Sequence, residues 1–165
     1  MEIWRLRDYG GAVKSMIAAF VLFLVLAFAS AGPNSQAQSK AFNIRGGGYE
    51  LKLRLSASKL SPALLSGCWG DPGKPAQINA FKLSLKGEEI YIPCTAYIDL
   101  LSIDRAWIAD AREGCVIHLQ GGEASTGYRA ELHITRRTLK YRIVRQAEFP
   151  DKSYEKTEYH FPITN

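Results

Sequence analysis

The chain has 165 residues, 47% of them hydrophobic and 22% charged, with a formal net charge of +5. That length suits one domain of ordinary size, and the composition excludes a disordered or fibrous chain. The positive balance is too slight to point to nucleic acid and favours anionic partners only weakly.

The first signal along the chain is positional. Arg5, Arg7 and Lys14 precede an unbroken apolar run from Met16 to Phe28, which gives way to Ala29-Ser30-Ala31. A positive flank, a short apolar core and a small-residue cleavage site form the pattern of a secretory signal. The core falls short of the ~20 apolar residues that a spanning helix needs. A secreted or periplasmic location is therefore expected. The alternative is an uncleaved anchor over residues 16–31, the one route by which the chain would meet a membrane. Loss of residues 1–31 removes three basic and two acidic side chains and leaves a net charge of +4. Residues 32–48, polar and then glycine-rich, are expected to be a flexible segment, followed by a single β-rich domain over 49–165.

Tyr49 to Leu55 alternates apolar and polar residues without a break, as a strand with one buried face requires. The same period recurs in Phe81–Leu85, Cys115–Leu119, Tyr128–Ile134 and Leu139–Ile143, and more weakly in Thr157–Phe161. Alternation of this kind argues for antiparallel sheet. The pattern predicts a mainly β fold of roughly six or seven strands. The sheet forms a half-barrel or a small sandwich, with one or two short helices. Ser61–Gly67 and Thr95–Leu101 are the helix candidates, the first through its Ser cap and Pro62.

Two hairpins can be registered. Around Arg136-Arg137, Thr135 faces Thr138 and Ile134 faces Leu139. Continued regularly, Leu132 then faces Tyr141, Ala130 faces Ile143, and Glu131 meets Arg142 on the wet face. Around Lys86–Glu89, Leu85 faces Ile90 and Leu83 faces Ile92, which sets Cys94 opposite Phe81. An exported domain with Cys68, Cys94 and Cys115 is expected to hold one disulfide, and this register favours Cys68–Cys94. Cys94–Cys115 is the next choice. Cys115 has the phase of a packed core thiol.

Several residues are candidates for a site. Arg129, Lys140 and Arg142, with Arg145 beside them, project from one side of the central hairpin. Such a face suits an acidic glycan, a lipid headgroup or an acidic protein surface. Trp69, in a long connection, is either a contact residue or a plug for the core. His118, His133 and Glu131 share a wet face and have zinc-ligand types, but exposed strand histidines are common. No cofactor is indicated. Asp99, Asp104, Asp110 and Glu113 fall in one connection and are the candidates for a hydrolytic carboxylate pair. Ser125 lies in a glycine-flanked loop without nucleophile-elbow spacing. The leading expectation is a non-enzymatic exported binding protein, inhibitor-like or an accessory factor of the envelope. A small hydrolase using residues 99–113 and a lipid or small-ligand carrier are the alternatives.

Overall fold

A computed structural model describes residues 39–73, 75–151 and 155–161. The expected signal, residues 1–31, and the polar stretch to residue 38 lie outside the described residues. In chain order the elements are β1 Lys40–Gly46, β2 Tyr49–Ala57, the one-turn helix α1 Pro62–Leu65, β3 Ala76–Leu85 and β4 Glu88–Ile90. They continue with β5 Ile103–Ala111, β6 Gly114–Gly121, β7 Tyr128–Thr135, β8 Thr138–Gln146 and β9 Glu155–Glu158. All pairings are antiparallel, in two sheets ordered β1-β2-β3-β4 and β5-β6-β7-β8-β9.

The sheets pack as a sandwich. Leu51, Leu53, Leu55 and Leu83 of the first sheet share one buried cluster with Ile117, Leu119, Leu132 and Leu139 of the second. Each belongs to the apolar phase of an alternating strand, so the alternation turns one face of every sheet toward the other. The expectation of six or seven strands is corrected to nine among the described residues. The additional strands are β1 and β5. Residues 40–46 are paired strand and not a flexible lead, with Phe42 and Ile44 packed on the core. Residues 103–111 are a strand and not a connection.

Turn chemistry fixes the hairpins. Gly47 and Gly48 join β1 to β2 with φ of 58° and 81°, the left-handed pair that a tight two-residue turn needs. Lys86 and Gly87 do the same between β3 and β4, at φ 52° and 87°. That turn is two residues shorter than the expected loop. Leu83 therefore faces Ile90 and Leu85 faces Glu88, and the chain leaves the sheet after Ile90. The β7–β8 hairpin turns at Arg136, with φ of 59°, and pairs Thr135 with Thr138 and Ile134 with Leu139. Its register then shifts: His133 faces Tyr141, Leu132 faces Arg142 and Ala130 faces Val144. A bulge at Lys140 inserts one residue into β8 and inverts the phase of everything after it.

The connections are tied to the sheets. Trp69 forms a parallel bridge with Leu100, its N–H donating to the Asp99 carbonyl at 2.8 Å. The buried Tyr128 hydroxyl donates to the Leu101 carbonyl at 2.9 Å. Lys40 Nζ donates to the carbonyls of Ile103 and Asp104 at 3.2 and 3.0 Å, joining β1 to β5. Among the described residues no helix is long and apolar enough to cross a membrane.

Candidate functional site

The bulge at Lys140 decides which charges reach solvent. Arg142 does not lie on the wet face with Arg129; its side chain is 5% exposed and points into the sandwich. Its guanidinium makes five hydrogen bonds. NH1 and NH2 donate to Asp99 Oδ1 and Oδ2 at 2.6 and 2.7 Å. Nε and NH2 reach Glu155 Oε1 at 3.1 and 2.6 Å, and NH1 also reaches the Thr95 carbonyl at 3.2 Å. All five guanidinium donors are thus used. Burial alone would lower the arginine's pKa, but the two carboxylates outweigh it and raise it. Glu155 shows the converse: burial pulls its pKa up, yet Arg142, Thr157 and Trp69 hold it below the usual carboxylate range. The Trp69 indole donates to Glu155 Oε2 at 3.3 Å. Trp69 is half-buried against the core and belongs to this inner network. Beside it the Tyr159 hydroxyl is buried; Thr95 comes near without completing a hydrogen bond.

The outer face of the second sheet carries a different set. Register places Arg105, Gln120, Arg129 and Arg145 on one rung across β5, β6, β7 and β8. The next rung holds Trp107, His118, Glu131, Ile143 and Lys156, and the third Ala109, Val116, His133, Tyr141 and Glu158. Arg105 and Arg129 are exposed, and among the described residues neither side chain has an ion-pair or hydrogen-bond partner. Arg145 NH1 lies 3.0 Å from Glu131 Oε1, the partner that the regular register had given to Arg142. Lys156 pairs with Glu158 at 2.7 Å.

Histidine and aromatic rings stand on edge across the strands. Trp107 stacks on His118 with centroids 4.7 Å apart, and His133 on Tyr141 at 4.2 Å. Trp107, on the outermost strand β5, is 41% exposed. His133 Nε2 lies 3.2 Å from Glu131 Oε2. Burial pushes His118 below the ordinary histidine range, with Glu131 opposing and His133 adding to the shift. Burial works to raise Glu131, but His133 and Arg145 prevail and lower it. The two histidines and Glu131 do come together as their phases imply. Each imidazole is nonetheless stacked on its neighbour, and among the described residues no three potential ligands converge on a metal position.

The other expected constellations are dispersed. Lys140 is exposed at the bulge, off the basic rung. Cys68, Cys94 and Cys115 are unpaired thiols, which corrects the Cys68–Cys94 disulfide. The shorter β3–β4 turn is the reason: Cys94 sits exposed in a 3-10 turn beyond the sheet and not opposite Phe81, and the Cys68 thiol donates to the Leu64 carbonyl at 3.5 Å. Burial and then Asp110 push the Cys115 thiol up to about 12. Of the carboxylates, Asp99 holds Arg142, Asp104 lies 3.6 Å from Lys40, Asp110 is on β5, and Glu113 is in the turn after it. The loop around Ser125 closes on itself as a 3-10 turn, Thr126 Oγ1 donating to the Glu123 carbonyl at 2.7 Å.

Arg105 is the one member of the basic rung that sequence reading passed over. Its strand breaks alternation at a register shift between Ile103 and Arg105, so no periodic signal marks it. Set against known protein families, functionally described proteins and solved structures, the chain matches none of them.

Proposed function

We propose that the domain is an exported, non-enzymatic binding protein that recognises an anionic surface through the outer face of its five-stranded sheet. One observation carries this reading: Arg105 and Arg129 lie exposed and unpaired on a single rung, with Arg145 beside them. An arginine without a carboxylate partner is free to take a carboxylate, sulfate or phosphate group in a two-point contact. Asp99 and the Asp104–Asp110 pair lend no support to hydrolysis. Asp99 is committed to Arg142. Asp104 and Asp110, on one strand, are ~20 Å apart, against the ~5–9.5 Å of glycosidase carboxylate pairs. Export rests on the residue pattern of positions 1–31.

The test is retention on an immobilised polyanion. Arg105→Ala combined with Arg129→Ala is expected to weaken binding roughly tenfold and to leave thermal unfolding unchanged. Equal retention of the double variant would overturn the assignment of this face.

A further inference from the structure

We infer that the anionic partner is an acidic polysaccharide laid across the strands along the Arg105–Gln120–Arg129–Arg145 rung. This rests on the binding role proposed for that face and names its ligand class.

The first argument is arrangement. The arginines form a line and not a cluster, one on each of β5, β7 and β8, so they suit an extended polymer better than a single compact anion. Strands lie ~4.8 Å apart, which sets Arg105 and Arg129 about 10 Å apart at the backbone, on the scale of a disaccharide repeat. Between them stands Gln120, half-buried on β6. A neutral amide that both donates and accepts matches a hydroxyl-bearing neutral unit, flanked by two guanidinium groups that match acidic ones. The first three positions thus read charged, neutral, charged, as a polymer alternating acidic and neutral sugars does, and Arg145, the fourth, is already paired with Glu131.

The second argument is charge and ring chemistry in the adjoining rung. Trp107 lies next to Arg105 on β5, stacked on His118 by one ring face and 41% exposed. An exposed indole standing at the end of the row offers apolar surface to the C–H face of a sugar ring. Glu131 and Glu158 are interleaved on the two rungs beyond. A bilayer of anionic headgroups would press a uniform negative surface against both carboxylates. A single polymer strand confined to Arg105, Gln120 and Arg129 keeps off those rungs, where Arg145 already holds Glu131 and Lys156 holds Glu158.

The experiment titrates the full chain with four probes: an alternating uronate–hexosamine polysaccharide, a uronate homopolymer, neutral dextran, and vesicles of phosphatidylglycerol in phosphatidylcholine. The expected result is saturable binding to the alternating polymer that exceeds the homopolymer, with none to dextran. Arg105→Ala with Arg129→Ala should weaken it at least tenfold, and Gln120→Glu should weaken it severalfold without shifting the melting temperature. Arginine-dependent binding to the vesicles that equals or exceeds binding to the polysaccharides overturns the polysaccharide assignment while leaving the anionic-surface role standing. Binding to neither class, or binding indifferent to both arginines, overturns both.

Discussion

Arg142 shows how far a single side chain can depart from its sequence neighbourhood. A guanidinium withdrawn from water costs several kcal/mol unless every donor is met and the charge is balanced. Here Asp99, Glu155 and the Thr95 carbonyl meet all of its donors. The network joins β8 and β9 to the connection that leads into β5. Arg142→Ala strands two partly buried carboxylates side by side and is expected to lower stability by about 3 kcal/mol. Replacing the trio together, as Arg142→Met with Asp99→Leu and Glu155→Leu, should recover most of that loss, because an apolar group needs no partner. Urea unfolding distinguishes the cases; a single alanine variant as stable as the parent would show the network to be inert. None of this was legible in the sequence, where Arg142 stands in an alternating run and takes the wet phase. Its true partners are 43 and 13 residues away, and no local pattern marks them.

At the scale of elements, alternation made most strands readable. β2, β6 and β7 carry uninterrupted apolar phases, and their faces follow from a period of two. Reading failed where the period breaks or the apolar stripe is thin. β1 offers only Phe42 and Ile44, and β5 opens on a register shift and beyond it packs only Ala106 and Ile108 on the core, between charged residues. The β8 bulge leaves no residue signature, since Lys140 is an ordinary exposed lysine. Deleting Lys140 should restore a regular ladder while leaving Leu139, Arg142 and Val144 on the inner face and Tyr141, Ile143 and Arg145 on the outer. The loss should be that of one hydrogen bond, the Tyr159 N–H to the Lys140 carbonyl at 2.8 Å, worth about 1 kcal/mol. Deletion of Ile143 inverts the following residues and should abolish the fold. Near-ultraviolet circular dichroism of the two deletions compares them directly; an unfolded Lys140 deletion would mean that the bulge itself is required. The candidate site was half legible. Arg129 has the correct phase, whereas Arg145 shares the apolar phase of Leu139, Tyr141 and Ile143 in a regular strand and reaches the outer face only through the bulge. Arg105 was concealed by its irregular strand, and Lys140 and Arg142 were misplaced by the bulge.

For the molecule as a whole, protonation bounds the conditions of stability. Glu155 and Glu131 sit below their ordinary value of 4.5 in the folded chain. The unfolded chain therefore takes up protons first. Their contribution is complete above 4.5 and is lost as pH falls through the folded values. His118, lowered from 6.5, prefers its neutral form in the fold, so some stability is already lost as pH drops below 6.5. Cys115 has the opposite sign. Raised from 9.0 to about 12, it keeps its proton in the fold, and stability declines as pH rises above 9.0. Urea midpoints measured across the pH range should show a plateau between 6.5 and 9.0 with a steep acid limb. Glu155→Gln should flatten that limb; an unchanged acid slope would remove Glu155 as its source.

Lys40 bears on how copies of the domain behave at high concentration. Strand borders with unmet N–H and C=O groups are templates for fibrillar growth. Here β1 and β5, which terminate the two sheets on one side, lie against each other, and the Lys40 ammonium occupies the Ile103 and Asp104 carbonyls. On the other side the terminating strands are short, β4 with Glu88 and Glu89 and β9 with Lys156 and Glu158. Charged borders of three and four residues are poor seeds for a growing cross-β ribbon. The domain is thereby guarded against self-templating, and copies crowded together at high concentration stay separate molecules.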